Sequence, residues 1–298
     1  MISEPVDRVE GVSVADNLQQ AAASLATAGI DEARLEAELL LGFCLGTGRT
    51  ELYLAARKTV DQRRQQLFLT LLRRRLNREP LAYITGEKEF WSLPWLVTPA
   101  VLIPRPETEF LLETVLARRN TEGEPGRWLD LCCGSGVIGI VLAREALQAI
   151  TAVDISAGAL AVARANCLRH GVLDRVSLVQ ADLVSCFRQE QAFSLIVANP
   201  PYIRRDDLDH RLQPEVARFE PRLALDGGTS GLDVIAAIAT TLPFLLGPGG
   251  DCFMEIGEEQ GAAVSTLFSR ARGSTEYRFV EIIKDYAGRD RIAHIRAA

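Results

Sequence analysis

The tetrapeptide Asn199-Pro200-Pro201-Tyr202 follows the apolar run FSLIVA and carries residue types suited to holding a planar –NH2 group. The side-chain oxygen of Asn199 and the carbonyl oxygen of Pro200 can each accept one of its two hydrogens. Pro201 restricts the residue before it and so holds that carbonyl in place, and Tyr202 offers a flat face for stacking. The arrangement favours chemistry in which a poor nitrogen nucleophile is aimed at an electrophilic methyl group. A simple turn is the alternative interpretation.

A glycine-rich segment, LDLCCGSGVIGI, places Gly134, Gly136 and Gly139 between a predicted strand and a predicted helix. Glycines there let the backbone approach a ligand closely, and the helix N-terminus supplies N–H donors. Asp154 ends the next strand, where a carboxylate can hold both ribose hydroxyls of a nucleoside. This pattern alone fits a turn without a ligand, NAD or S-adenosylmethionine. Hydride transfer has no use for an –NH2 clamp, so the two motifs together favour S-adenosylmethionine.

Both motifs fall in a region where apolar strands alternate with helices from residue 107 onward. The strand candidates around the motifs are RWLDLCC, AITAVDI, RVSLVQAD and FSLIVAN. Such alternation predicts a mainly parallel sheet covered on both faces, with ligands bound beyond the carboxyl ends of its strands. The last two segments, YRFVEIIKD and RIAHIRA, are joined by a short loop and are predicted to pair antiparallel.

Residues 13 to about 78 show helical periodicity instead. Helices are predicted at 13–29, 31–46 and 61–79, with polar residues at their starts and glycine at the ends of the first two. We expect the second helix to present one apolar face made of Leu35, Leu39, Leu40 and Phe43. The predicted domains are a helical domain at 1–79, a hairpin or linker at 80–106 with a turn near Ser92–Pro94, and a catalytic domain at 107–298.

Composition narrows the function classes. The net charge of −6 over 298 residues gives no general attraction to nucleic acid, so no direct nucleic-acid binding is expected. The six cysteines show no C-x-x-C spacing, which argues against structural zinc and disulfides and fits a reducing cytoplasm. The N-terminus does not resemble a secretory signal, and no apolar run is long enough for a membrane span. We therefore expect a cytoplasmic enzyme without a metal.

The segments LDLCCGSG and ANPPY resemble those of class I S-adenosylmethionine-dependent methyltransferases that act on amino or amide nitrogens. Further segments closely resemble the HemK/PrmC family: REPLAYITGEKEF, IPRPETE, NPPYI, EVARFEPRLALDGG, GLDVI and DYAGRDR. The resemblance covers residues 15–296. It implies an α/β class I methyltransferase (Rossmann-like) fold, a seven-stranded mixed sheet with the last strand antiparallel, beside a small N-terminal α-helical bundle.

The family resemblance also implies an activity. Its members methylate the side-chain amide of the glutamine in the Gly-Gly-Gln motif of class 1 peptide chain release factors, with S-adenosylhomocysteine as the second product. In that family a helical N-terminal domain holds the release factor, and the same role is expected of the helical domain here. Ribosomal-protein glutamine methyltransferases and DNA or RNA amino-methyltransferases with the same tetrapeptide are alternatives. The PRPETE form at 104–109 favours release factors over ribosomal proteins, and the net negative charge with a small helical domain argues against the nucleic-acid enzymes.

Residue roles follow from the resemblance. The expected cofactor contacts are Cys132, Cys133, Gly134, Ser135, Gly136, Asp154, Asp182, Leu183 and Asn199. The expected glutamine contacts are Asn199, Pro200, Pro201 and Tyr202, of which Asn199, Pro200 and Tyr202 are assigned catalytic roles. The chain departs from the family at Cys132 and Cys133, where glycine and a small residue are usual, and at Leu183, often a bulky aromatic. Cysteine is expected to fit the turn unless a positive φ is required there.

Overall fold

The fold is taken from a computed structural model, which describes residues 11–118, 126–188, 192–270 and 277–298. The chain divides into two units, Met1–Thr85 and Gly86–Ala298. Of the segment 80–106, assigned above to a hairpin or linker, the first residues form a helix of the first unit, and the remainder belongs to the second unit.

The described residues of the first unit form five helices around an apolar core. In chain order they are α1 (Val14–Thr27), α2 (Ala33–Leu45), α3 (Arg49–Leu54), α4 (Gln62–Leu76) and α5 (Leu81–Thr85). Leu25, Leu40 and Phe68, from three different helices, are buried together in this core. The three helices predicted from the sequence are α1, α2 and α4. The short helices α3 and α5 were not predicted.

The ends of these helices follow the polar residues of the sequence. The Ser13 side chain accepts a hydrogen bond from the backbone N–H of Asp16 at 3.1 Å and begins α1. Asp61 accepts from the N–H of Arg64 at 3.0 Å and begins α4. Gly46, with a φ of 66°, ends α2 in the left-handed conformation. Each N-cap contributes about 1 kcal/mol to helix stability.

The predicted apolar face of α2 is wrong in part. Leu39 and Phe43 are exposed by 42% and 49% respectively, whereas Ala37 and Leu41 are fully buried beside Leu40. The sequence ARLEAELLLGFCL is apolar around most of the helix, so its periodicity does not distinguish the two faces. The small side chain of Ala37 allows close approach of a neighbouring helix, and α1 packs against α2.

An antiparallel hairpin begins the second unit. Its strands are β1 (Glu87–Phe90) and β2 (Leu93–Leu96). Trp91 and Ser92, both with a φ of 54°, form a two-residue turn of the kind that matches the twist of paired strands. The predicted hairpin is confirmed, but Pro94, which the sequence placed in the turn, lies within β2.

The main sheet contains seven strands among the described residues. They are β3 (Arg127–Leu131), β4 (Ile150–Asp154), β5 (Val176–Gln180), β6 (Phe193–Ala198), β7 (Leu246–Glu255), β8 (Tyr277–Lys284) and β9 (Asp290–Ala297). Their order is β5-β4-β3-β6-β7-β9-β8. Only β9 runs against the others, antiparallel to both of its neighbours. The predicted fold class, a mixed sheet with an antiparallel last strand, is confirmed.

Helices pack on both faces of this sheet. The described α-helices are α6 (Pro106–Arg118), α7 (Val137–Glu145), α8 (Ala157–Arg169), α9 (Pro214–Phe219), α10 (Asp233–Thr241) and α11 (Gly261–Arg270). Successive residues of β3 point to opposite faces. Trp128 joins a buried cluster with Leu111 of α6, and Leu129 joins a second one with Ile238 of α10 and Phe268 of α11. The two buried layers hold the strands in place.

Candidate active site

The carboxyl ends of β4, β3 and β6 lie side by side, because these strands are parallel neighbours. Residues from these ends line a cavity of about 220 Å³. Its lining includes nine predicted site residues: Cys132, Cys133, Gly134, Ser135, Asp154, Asp182, Leu183, Asn199 and Pro201. Gly136, Pro200 and Tyr202 are not among the lining residues. The glycine turn and the tetrapeptide thus meet at one cavity.

Gly134 and Gly136 are needed in the turn for different structural reasons. Gly134 has a φ of 54°, which disfavours other residues, and its backbone N–H bonds to Asp154. Gly136, with a φ of 83°, immediately precedes α7. A Cβ at this position would lie 3.0 Å from Ile140 and 3.2 Å from Ala163. Gly136 therefore serves the turn and the close packing of α7 on α8, rather than the cavity wall.

Cys132 also has a positive φ, of 59°. Because this position requires a positive φ, glycine would fit it better than cysteine. The left-handed backbone of Cys132 costs about 1–2 kcal/mol. Leu183, with a φ of 46°, carries a similar cost. Burial raises the pKa of the thiols of Cys132 and Cys133, so both remain protonated and are poor nucleophiles.

Asp154 anchors the glycine turn. Its Oδ2 accepts from the N–H of Gly134 at 2.8 Å, and its Oδ1 accepts from the N–H of Ser156 at 2.9 Å. An ionised carboxylate has about four acceptor sites, so two remain for a ligand. Asp154 lines the cavity, and these sites can accept a pair of neighbouring hydroxyls. The predicted ribose contact of Asp154 stays a prediction.

Asp130 lies beneath the turn and is completely buried. Its Oδ2 accepts from the N–H of Gly139 at 2.8 Å, while its Oδ1 has no hydrogen-bond partner among the described residues. Burial raises the pKa of Asp130 to about 8; the Gly139 hydrogen bond opposes this rise, and the nearby charge of Asp154 adds to it. Asp130 is therefore largely protonated at neutral pH.

The Asn199 side chain belongs to a hydrogen-bonded chain that sequence reasoning missed. Its Nδ2 donates to the Thr108 hydroxyl at 3.2 Å, and that hydroxyl donates to Glu255 Oε2 at 2.8 Å. Thr108 and Glu255 are 3% and 1% exposed, so the chain leads from the cavity wall into the core. The sequence offers two weak signals for these residues: Thr108 lies in the PRPETE segment, and Glu255 is the last residue of β7.

Tyr202 is held by the same carboxylate. Its hydroxyl donates to Glu255 Oε1 at 3.0 Å, and its carbonyl accepts from the side chain of Gln260 at 2.9 Å. Burial raises the pKa of Tyr202, and the charge of Glu255 raises it further. Burial likewise raises the pKa of Glu255, while hydrogen bonds from Thr108 and Tyr202 and the charge of Arg291 oppose the rise. The predicted stacking role of Tyr202 stays a prediction.

Two motif-bearing loops form another wall of the cavity. Arg105 pairs with the buried Glu220, whose second oxygen accepts from the N–H of Ile103 at 3.1 Å. This contact joins the IPRPETE and EVARFEPR segments, and the wall continues through Pro221 and Leu223. Glu220 was not predicted as a site residue. Its partner is 115 positions away in the sequence, and no local pattern indicates such a pair.

Two general findings concern the described part of the chain. Among residues 11–118, 126–188, 192–270 and 277–298, no three His, Cys, Asp or Glu side chains are grouped so that they could hold a metal ion. Within the same ranges, none of the helices combines the length and apolar character needed to cross a membrane.

Comparisons with known proteins identify the class. The PrmC N-terminal domain family matches residues 16–86, and the Methyltransferase small domain family matches residues 106–228. A crystal structure of a methyltransferase from Pyrococcus furiosus aligns with a TM-score of 0.50 and 16% identity, covering 70% of this chain and 91% of that chain. The hMettl16 catalytic domain aligns with a TM-score of 0.53 and 13% identity, covering 68% and 74%. The second unit has a methyltransferase fold.

Curated relatives narrow the class to a family. A release factor glutamine methyltransferase from Nitratidesulfovibrio vulgaris is 40% identical, over 94% of this chain and 93% of the relative. Another with that name, from Escherichia coli, is 41% identical over 87% and 90%. The chain belongs to the release factor glutamine methyltransferase family. The resemblance stated from the sequence motifs is confirmed, and the chain is a methyltransferase.

Proposed function

We propose that this enzyme transfers a methyl group from S-adenosylmethionine to the side-chain amide nitrogen of the glutamine in the Gly-Gly-Gln motif of class 1 peptide chain release factors. The observation that carries the proposal is the position of Asn199. Asn199 lines the same cavity as Gly134 and Asp154, and its Nδ2 donates to Thr108, which leaves Oδ1 free to accept a hydrogen bond.

The cavity fits a nucleoside sulfonium ligand. Asp154 has acceptor sites left for a ribose diol, and Ile155, Leu183 and Val234 add apolar surface suited to a planar base. When bound, S-adenosylmethionine supplies an electrophilic methyl group on a positively charged sulfur. The Asp182 carboxylate, also in the lining, is an acceptor for polar edges of the ligand. No part of this proposal needs a metal ion.

The chain's contribution to the reaction is orientation. Asn199 Oδ1 and the carbonyl of Pro200 each accept one hydrogen of the glutamine –NH2 group, and Pro201 restricts the backbone that carries that carbonyl. Both hydrogen bonds strengthen as the nitrogen gains positive charge, so they stabilise the transition state more than the bound substrate. A strong general base is not required, because the alkylated amide loses its proton readily.

Substrate recognition is assigned to the helical unit. Family membership supports this assignment, since the PrmC N-terminal domain match covers residues 16–86. We propose that this unit binds the release factor, while the second unit binds cofactor and performs the methyl transfer. No direct contact with nucleic acid and no membrane partner belong to the proposal.

The proposal is tested by incubating the enzyme with labelled S-adenosylmethionine and a purified class 1 release factor, followed by peptide mapping. Label is expected on the Gly-Gly-Gln glutamine alone. A release factor carrying Gly-Gly-Ala is the matched control and should remain unlabelled. Equal labelling of both proteins, or label mapped to another residue, would contradict the proposed substrate.

A further inference from the structure

The carboxylate of Glu255 receives two hydroxyl donors at the base of the cavity. Thr108 donates to one oxygen at 2.8 Å and Tyr202 donates to the other at 3.0 Å. In both bonds the hydroxyl is the donor and a Glu255 oxygen is the acceptor, so each hydroxyl directs its single proton toward Glu255. Thr108 comes from the first turn of α6, Tyr202 follows β6, and Glu255 ends β7.

The direction of these bonds determines whether the Thr108 hydroxyl donates a hydrogen bond to Asn199 or accepts one from it. With its proton committed to Glu255, the Thr108 oxygen presents only lone pairs on its other side. The Thr108 oxygen therefore accepts a hydrogen bond from the Nδ2 of Asn199, which lies 3.2 Å away. The two ends of an asparagine amide have nearly the same shape, so the hydrogen-bond network determines which end faces the cavity.

We infer that Glu255 is a positioning residue for methyl transfer: through Thr108 it holds the Asn199 amide so that Oδ1, and not Nδ2, faces the glutamine. This inference rests on the proposed function. If the amide were reversed, an N–H donor would meet the two hydrogens of the glutamine –NH2 group, and the nitrogen would not be held. Glu255 acts without touching the substrate.

Thr108→Val tests the chain directly, because valine keeps the shape and removes the hydroxyl. The single-turnover rate at saturating cofactor and release factor is expected to fall at least tenfold. Without the Thr108 hydroxyl the Asn199 amide is no longer held, and poor orientation of the reacting nitrogen lowers the rate of methyl transfer. The dissociation constant for S-adenosylmethionine should stay within about twofold of wild type. Thr108→Ser, which restores a hydroxyl, should recover most of the lost rate. Wild-type single-turnover rates in Thr108→Val would overturn the inference.

Thr114→Val is the matched control. Thr114 lies on the same helix, is also buried, and its hydroxyl donates to the carbonyl of Phe110 at 2.8 Å. It should keep the wild-type rate. A rate loss equal to that of Thr108→Val would assign the effect to helix packing and overturn the inference.

Glu255→Gln provides an independent arm, because its Nε2 can donate to Thr108 and so remove the directional constraint. Thr108→Val and Glu255→Gln act on one path, so the double variant should lose no more rate than the slower single variant. Fully multiplicative losses would overturn the inference. A wild-type enzyme that fails to label glutamine would instead contradict the proposed function, a result distinct from any variant comparison.

Discussion

Asp154 combines two tasks in one side chain, since its carboxylate anchors the glycine turn and faces the cavity. Asp154→Ala should therefore weaken S-adenosylmethionine binding by tenfold or more, because hydrogen bonds to a charged group contribute about 1.5–3 kcal/mol each. Calorimetric titration with S-adenosylmethionine measures the effect. The exposed Asp174, changed to Asn, is the control and should bind normally. An unchanged affinity in Asp154→Ala would remove this residue from the cofactor site.

Asp130 provides a pH-dependent prediction. Its folded-state pKa of about 8 lies above the unfolded value of 3.8, so folding takes up a proton between these values. The stability that this group contributes is complete below about pH 4 and is lost as the pH rises toward 8. Asp130→Asn removes that dependence while keeping an acceptor for Gly139.

Thermal unfolding at pH 5 and pH 8 measures this effect. The stability of Asp130→Asn relative to wild type should rise between the two pH values, by on the order of 1–4 kcal/mol. Asn also places an unpaired donor where Oδ1 lies, and that cost does not change with pH. A difference between variant and wild type that is constant across this pH range would show that Asp130 is ionised in the folded protein.

The helix pair α2 and α3 is joined by a buried carboxylate. Glu38 is fully buried and accepts from Arg34 at 2.7 Å, Arg49 at 2.8 Å and Tyr53 at 2.6 Å. Burial raises the pKa of Glu38, but the hydrogen bonds from these three partners outweigh it, and the net shift is downward. Its contribution to stability is therefore present above the unfolded pKa and is lost as the pH falls.

Glu38→Gln should destabilise the helical unit by about 1–2 kcal/mol at pH 7, because a charged acceptor of three donors is replaced by an amide. The difference from wild type should shrink as the pH falls below 4.5, the unfolded pKa of Glu38. Circular dichroism of thermal unfolding measures both effects. Glu79→Gln, which breaks a partly exposed pair with Arg74, is the control and should cost less than about 1 kcal/mol. Equal losses in the two variants would refute the special position of Glu38.

The helices and strands show which structural features can be predicted from the sequence and which cannot. Strands, caps and the glycine turn were predictable, because each depends on neighbouring residues such as Ser13 or Gly134. The buried side of α2 was not, since Leu39 and Leu41 are equally apolar and only tertiary packing distinguishes them. Glu255 and Glu220 were missed for a similar reason: their partners lie on other elements, far along the sequence.

The division of the molecule into two units, each with its own buried core, permits a test of substrate recognition. A chain lacking Met1–Thr85 should keep S-adenosylmethionine affinity, because every lining residue of the cavity lies in Gly86–Ala298. Its methylation of a release factor should fall sharply. Calorimetry and a labelling assay on the same preparation measure the two properties. Undiminished methylation by the truncated chain would refute a recognition role for the helical unit.

Methyl transfer by Asn199→Ala is the most direct test of catalysis by orientation. The measurement is the single-turnover rate at saturating S-adenosylmethionine and release factor, with cofactor affinity determined on the same protein. Removing the side-chain acceptor should lower the rate about a hundredfold, on the order of 3 kcal/mol, because the bond is strongest in the transition state. Cofactor affinity should remain near wild type. A wild-type single-turnover rate in Asn199→Ala would mean that the tetrapeptide is only a turn.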